Sequence, residues 1–301
     1  CVLSTAINKY MYISIHPFFS KDTTVLKYSK TEIVKDYSEI EHKYLRTILK
    51  KFRLSGIEIT STADVPAGTG LGSSSSFTVG VLHALYSYKG KFVSRERLAK
   101  EACDIEIIEL AQPIGKQDQY AAAYGGLNYY SFEKDGSVLV EPVIMSNEKK
   151  MAMEKNLLMF YTGDIRSASK ILEEQRKNIT QGDREKGQLQ LCSLTKDLKA
   201  ELEKGHIDSL GEILHFSWQI KKTLASGISN PSLDEIYECA IKNGAIGGKL
   251  LGAGGGGFFL FYVPEKNQND VRNAIGLPEM KFSFELQGSN VIYVGNVPDN
   301  I

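Results

Sequence analysis

Cysteine is scarce in this chain. Four occur in 301 residues, at Cys1, Cys103, Cys192 and Cys239, and no two stand in a CxxC spacing. That argues against a zinc knuckle or a redox pair, and so few thiols in so long a chain suit a reducing cytoplasm. Net charge is lacking as well, because 36 basic residues balance 36 acidic ones. No bulk field draws such a chain to nucleic acid or to an anionic membrane, so an anionic substrate has to be held by a local site. Long apolar runs are absent too. The longest, residues 258–263, falls far short of the ~20 residues of a membrane helix. No secretory signal is visible, so the sequon Asn178-Ile179-Thr180 carries no weight in a cytoplasmic protein. There is no internal repeat, and no low-complexity tract beyond the serines at 73–76. The chain begins at Cys1 without Met, in a stretch that already reads as strand. The expectation is that an upstream segment is missing.

What is present is ordinary for a soluble globular protein: 42% apolar and 24% charged residues. The length fits one large domain or two medium ones. Periodicity predicts strands over 2–15, 24–34 and 56–61, with an amphipathic helix over 39–52 between the last two. Helices are predicted over 73–88, over 94–110 with Ser94 as N-cap, and over 117–124. Strands over 127–132 and 138–145 are joined at Asp135-Gly136, a hairpin signal, and 157–161 is a further strand. From residue 167 the texture changes to polar-amphipathic helices over 167–178, 184–204, 207–225 and 231–243, the last with Pro231 in its first turn. Strands over 246–251 and 258–263, a helix over 268–275, and strands over 281–286 and 291–294 close the chain. The shift near 155 predicts two domains, 1–155 and 156–301.

Three stretches carry chemistry. The first is Pro66-Ala-Gly-Thr-Gly-Leu-Gly-Ser-Ser-Ser-Ser76, between a strand and a helix. Gly68, Gly70 and Gly72 let the backbone turn its N–H groups inward, and the following helix adds its free N–H groups and positive dipole end. Hydroxyls at Ser73 and Ser74 can bind phosphate oxygens or a magnesium ion. No Lys follows the last glycine, so this is not a Walker A loop. The bland alternative, a flexible Gly/Ser turn, is weakened by the strand-loop-helix context.

The second stretch, Lys249-Leu-Leu-Gly-Ala-Gly-Gly-Gly-Gly257, contains a formal GxGxxG. A dinucleotide fold needs a helix next, whereas the following residues read as a strand. A tight loop between two strands, facing the first glycine-rich loop, fits better. The third is the acidic pair Glu106 and Asp118, twelve residues apart across a turn forced by Pro113 and Gly115. One carboxylate holding Mg²⁺ while another orients a hydroxyl is a minimum kit for phosphoryl transfer. Glu109 is the rival to Glu106 and reads as surface.

The pattern PxxxGLGSS, present as Pro66, Gly70, Leu71, Gly72, Ser73 and Ser74, resembles the phosphate loop of the GHMP kinases. Ser75 and Ser76 stand where that family usually has Ala. The second glycine-rich loop resembles the family's third motif. Residues 113–126 and 161–172 are similar to the bacterial D-glycero-D-manno-heptose 7-phosphate kinases of that family, and the likeness runs over nearly the whole chain. It implies an α+β GHMP kinase fold, with an N-terminal half of the ribosomal protein S5 domain 2-like type and a ferredoxin-like C-terminal half with added helices. It implies ATP and Mg²⁺ as cofactors and phosphorylation of the anomeric hydroxyl of a heptose phosphate, on the way to surface polysaccharide.

Site residues follow from the same likeness. ATP phosphates fall to Pro66, Gly68, Gly70, Leu71, Gly72, Ser73, Ser74 and Ser75. The metal falls to Ser73 and Glu106, and the base-like role to Asp118. Gln119, Gly254 and Gly255 fall to the sugar. Lys116, Arg166 and Lys170 are the cations nearest to hand for a substrate phosphate. L-fucokinases share the Gln-Asp-Gln context of Asp118, and some proteins of this fold bind without catalysis; both readings stay open, as does a homodimer. The family's first motif, with its Gly-Gly-Thr-Asp-like sugar segment, would precede Cys1.

Overall fold

The computed structural model describes residues 1–163, 168–178 and 182–295. In chain order it holds β1 (Val2–Ile7), β2 (Met11–Pro17), β3 (Thr24–Lys27), β4 (Thr31–Val34), α1 (Lys43–Phe52) and β5 (Ile57–Ala63). Next come α2 (Ser73–Tyr88), α3 (Arg95–Cys103), a π-helical turn (Asp104–Glu109), α4 (Gln117–Tyr124), β6 (Leu127–Phe132) and β7 (Val138–Pro142). Then follow α5 (Asn147–Lys155), β8 (Leu157–Tyr161), α6 (Ala168–Asn178), α7 (Asp183–Glu203), α8 (Ser209–Lys222) and α9 (Pro231–Lys242). The last are β9 (Gly247–Leu250), β10 (Phe258–Tyr262), α10 (Gln268–Ile275) and β11 (Phe284–Glu285). Among the described residues no helix is long and apolar enough to cross a membrane.

Two compact units are present. One comprises Ala6–Pro66, Gly72–Gly126 and Glu285–Ile301. Its sheet has the order β2-β5-β3-β4. Strand β5 is central because it pairs antiparallel with β2 (Ile15↔Ile59) and parallel with β3 (Leu26↔Ile59). Its alternation buries Ile57 and Ile59. Helix α1 turns Leu45, Ile48 and Leu49 inward at helical spacing. Helix α2 is buried on most of its sides, with Phe77, Val79, Val81, Leu82 and Leu85 inside and Ser74 alone of its residues exposed, and so runs through the unit's core.

The other unit comprises Cys1–Thr5, Ala67–Leu71 and Leu127–Phe284. Its three-stranded antiparallel sheet has β10 at the centre, between β8 and β9. Alternation along β10 sends Phe259 and Phe261 into a cluster with Phe160, Trp218, Tyr237 and Leu250. Tyr262 joins Leu157, Leu198, Leu202, Leu210 and Leu214 in a second cluster. Trp218, fully buried, packs edge-on to Phe259 with ring centroids 5.7 Å apart.

Several expected elements are redrawn. The strand over 2–15 is two strands, because the chain turns at Asn8 and Lys9. That over 24–34 is a hairpin closed by Tyr28 N–H donating to Lys30 O (2.8 Å). The helix over 39–52 starts only at Lys43, where the His42 ring accepts from Leu45 N–H. Helix α5 was not anticipated. Of 281–286 only Phe284–Glu285 is strand, and 291–294 is not strand at all. Ile292, Tyr293 and Val294 carry strand-forming side chains but are exposed and find no partner strand.

Candidate active site

Helix α2 starts without a capping side chain. Its cap residue is Gly72, in the left-handed region (φ 71°, ψ 21°), which has no side chain of its own to accept from the first turn. The N–H groups of a helix start that lack such an acceptor form an anion site, strengthened by the helix dipole. Serines fill that turn: Ser73 is half-buried, Ser74 exposed and Ser75 buried. Burial pushes the nearby Tyr44 phenol up, and the Ser74 hydroxyl pulls it the other way.

Asp118 lies against this cap. It sits in the first turn of α4, and a Cβ placed on Gly72 would come 3.4 Å from the Asp118 Cβ. Glycine suits the position by its backbone angle, and a Cβ there would make ordinary van der Waals contact with Asp118.

Glu106 is fully buried. Its Oε1 accepts from Thr78 Oγ1 (2.5 Å), and its Oε2 accepts from Ser75 Oγ (2.9 Å) and Gln119 Nε2 (2.5 Å). Burial pushes its carboxyl above the ordinary value; the three hydrogen bonds pull the other way, and the Asp118 charge adds to the rise. The π-helical turn explains why Glu106 and not Glu109 is inside. An α-helix keeps positions three apart on one face. Here the helix widens, with Leu110 N–H donating to the Ile105 carbonyl five residues back (2.9 Å) and Gln112 N–H to that of Glu106 (2.9 Å). Ile105 and Glu106 then both face inward, while Ile108 and Glu109 are exposed. Such single π turns recur at functional sites.

The second glycine-rich loop belongs to the unit that also holds residues 67–71. There the two loops pack backbone on backbone. A Cβ on Gly70 (φ 84°) would come 2.8 Å from the Leu251 carbonyl oxygen, and one on Gly252 would come 2.6 Å from the Gly70 Cα. Lys221 Nζ donates to the carbonyls of Leu250 (3.2 Å) and Gly252 (2.6 Å) and so holds the loop's entry. The Gly255 N–H donates to Ile228 O (3.0 Å), which ties Gly254 and Gly255 to the segment after α8.

Ser75, Glu106, Asp118 and Gln119 are thus gathered around the start of α2, together with Thr78, a partner of Glu106 that sequence reasoning missed. A hydroxyl in the fully buried stripe Phe77, Thr78, Val81, Leu82 was the available signal. Pro66 and Gly68 are exposed and Leu71 is half-buried. Lys116, half-buried at the start of α4, draws the Cys103 thiol down, although burial dominates and pushes it up to about 12. Lys170 is exposed on α6, and Arg166 lies outside the described residues.

Comparison with known proteins gives a consistent result. The family model for the GHMP kinases N terminal domain matches residues 27–126, and that for the GHMP kinases C terminal matches 198–277. The D-glycero-alpha-D-manno-heptose 7-phosphate kinase of Campylobacter jejuni is 36% identical over 214 residues, covering 70% of this chain and 62% of that protein. The L-fucokinase/L-fucose-1-P guanylyltransferase of Bacteroides fragilis is 29% identical over 244 residues, covering 78% of this chain and 25% of that protein. The chain therefore spans less than two thirds of either relative. A crystal structure of a D-glycero-D-manno-heptose 1-phosphate kinase from Bacteroides thetaiotaomicron superposes with a TM-score of 0.76 at 25% identity, covering 95% of this chain and 88% of that one.

Proposed function

The chain belongs to the GHMP kinase family, with that family's fold, and on that premise we propose that it transfers the γ-phosphoryl group of ATP to the anomeric C1 hydroxyl of D-glycero-D-manno-heptose 7-phosphate. The product is the 1,7-bisphosphate, made for surface polysaccharide in the cytoplasm. The observation that carries this reading is the placement of Asp118 against Gly72, the glycine cap at the start of α2. An anion cradle and a carboxylate, side by side, are what transfer from a nucleotide to a hydroxyl requires.

The roles divide by environment. Backbone N–H groups of Gly72 to Ser75 hold phosphate oxygens by charge-assisted hydrogen bonds. Asp118, half-buried, orients the sugar hydroxyl and takes its proton as the oxygen attacks phosphorus. The oxygen donors around Glu106 fit Mg²⁺, which favours one or two carboxylates, hydroxyls and substrate phosphates. Glu106 with Ser73 or Ser75 would hold it, and Ser75, already bonded to Glu106 at 2.9 Å, is the better placed of the two. When bound there, Mg²⁺ neutralises charge on the β- and γ-phosphates. Lys116, Arg166 and Lys170 are offered for the substrate's 7-phosphate, and Gly254 and Gly255 for the sugar.

The test is a panel of ATP with heptose 7-phosphate, unphosphorylated heptose and L-fucose. ADP release gives the rate, and phosphorus NMR gives the position of the new ester. The expected result is turnover of heptose 7-phosphate, with the new phosphate on C1. L-fucose as the sole good acceptor would move the reading to an L-fucokinase, which the Bacteroides fragilis relative favours. Absence of ADP release with every acceptor would overturn the kinase reading.

A further inference from the structure

Gln119 follows Asp118 directly, so the sugar-facing role given above to Gln119 was natural. Its environment points elsewhere. Gln119 is fully buried. Its Nε2 donates to Glu106 Oε2, and its Oε1 is buried with no hydrogen-bond partner among the described residues. An ionised carboxylate only accepts, so the amide must present its nitrogen to Glu106. Flipping the amide would set oxygen against oxygen. The arrangement thus leaves one buried acceptor unsatisfied in order to satisfy another. Packing alone does not explain it, since Met or Leu would fill the space without an orphaned oxygen.

The link also joins two elements. Asp118 and Gln119 are consecutive in α4, whose Tyr120 and Ala123 are buried with Gln119, while Glu106 lies in the π-helical turn. The backbone between them turns sharply, and Ala111 sits at φ 50°. Thr78 ties Glu106 to α2 in the same way, by its hydroxyl.

We propose that Gln119 is a positioning residue: its amide bonds Glu106 and so fixes the separation of Glu106 from Asp118, without touching the sugar. This rests on the kinase reading above. It explains why an amide, and not a hydrophobe, occupies a core position of α4. Removing the amide leaves Glu106 held by Ser75 and Thr78 alone and free to shift against Asp118.

The experiment is a double-mutant cycle with Q119M and E106Q, read in two ways. Steady-state assays give kcat, the KM for the sugar and the Mg²⁺ concentration at half-maximal rate. Electron paramagnetic resonance of Mn²⁺ gives metal affinity in the presence of a non-hydrolysable ATP analogue, with no turnover involved. In Q119M, kcat and Mn²⁺ affinity should each fall about tenfold, as loss of one hydrogen bond to a charged group implies, with the sugar KM unchanged. In the E106Q background, Q119M should add nothing further. Should Q119M not fold, Q119N keeps the amide but withdraws it by one methylene, and should show the same losses. A raised sugar KM with unchanged kcat would return Gln119 to the sugar. Additive losses, or wild-type Mn²⁺ affinity in the variant that folds, would equally overturn the proposal. Failure of the kinase reading shows differently, as a wild type that turns over no sugar while the Mn²⁺ cycle remains readable.

Discussion

Two carboxylates beside one helix start are set apart by their surroundings. Asp118 is half-buried against the Gly72 cap, and Glu106 is fully enclosed by three donors. Asp118→Asn keeps the shape but cannot take a proton, so kcat should fall by ~10²–10⁴-fold at an unchanged melting temperature; wild-type turnover in that variant would remove Asp118 from the chemistry. Glu106 makes a prediction about stability. Burial holds its carboxyl above the ordinary 4.5, so the folded protein binds a proton that the unfolded chain has released. Stability is then greatest below that ordinary value, falls as pH rises toward the raised folded one, and stays lower beyond it. In metal-free protein, Glu106→Gln should melt higher than wild type at neutral pH, with the gap closing on acidification. A variant that melts lower at neutral pH would mean that the hydrogen bonds outweigh burial. The glycine-rich loop ahead of α2 and the exposure of Glu109 were legible in the sequence, because each depends on local residue type. The burial of Gln119 was not, because it depends on which side of a two-turn helix meets the core.

At the level of elements, α2 and α4 read correctly to the residue, since glycines mark an end of each, Gly72 before α2 and Gly125 after α4. The stretch 94–110 read as one helix because its apolar spacing continues through Ile105. A single widened turn adds one residue and leaves no compositional trace. Helix α5 escaped notice because only Met153 of its nine residues is buried, although Ser146 does cap it, accepting from Lys149 N–H (3.2 Å). The widened turn ends in a residue of the wrong kind, Ala111 at φ 50°. A left-handed conformation costs a residue with a side chain ~1–2 kcal/mol, whereas glycine adopts it freely at a smaller cost in unfolded-state entropy. Ala111→Gly should therefore raise stability by up to about 1 kcal/mol, against the usual direction for Ala→Gly. Chemical denaturation at constant m-value measures it, and a loss of stability would show that Ala111 packs usefully.

Across the whole molecule the chain passes from one unit to the other after Thr5, Pro66, Leu71, Gly126 and Phe284. Strand β6 gains its antiparallel partner β1 (Leu3↔Tyr129) from residues far upstream. A fragment spanning residues 127–284 lacks that partner and leaves the edge of β6 unpaired, a template for aggregation. It should be less soluble than the intact chain and should recover when a peptide of residues 1–7 is added; a soluble, cooperatively melting fragment would show β1 to be dispensable. The same division gives the protein a built-in reporter. Its single tryptophan, Trp218, lies in the unit of residues 127–284, where its indole N–H is buried without an acceptor among the described residues. Emission from a ring so dry should be blue in the native state and move to the red when water reaches it. Fluorescence excited beyond the tyrosine band therefore watches one unit only, while circular dichroism watches the helices of both. Superimposable denaturation curves would mean that the units melt as one body, and curves that part would time the silent unit by difference.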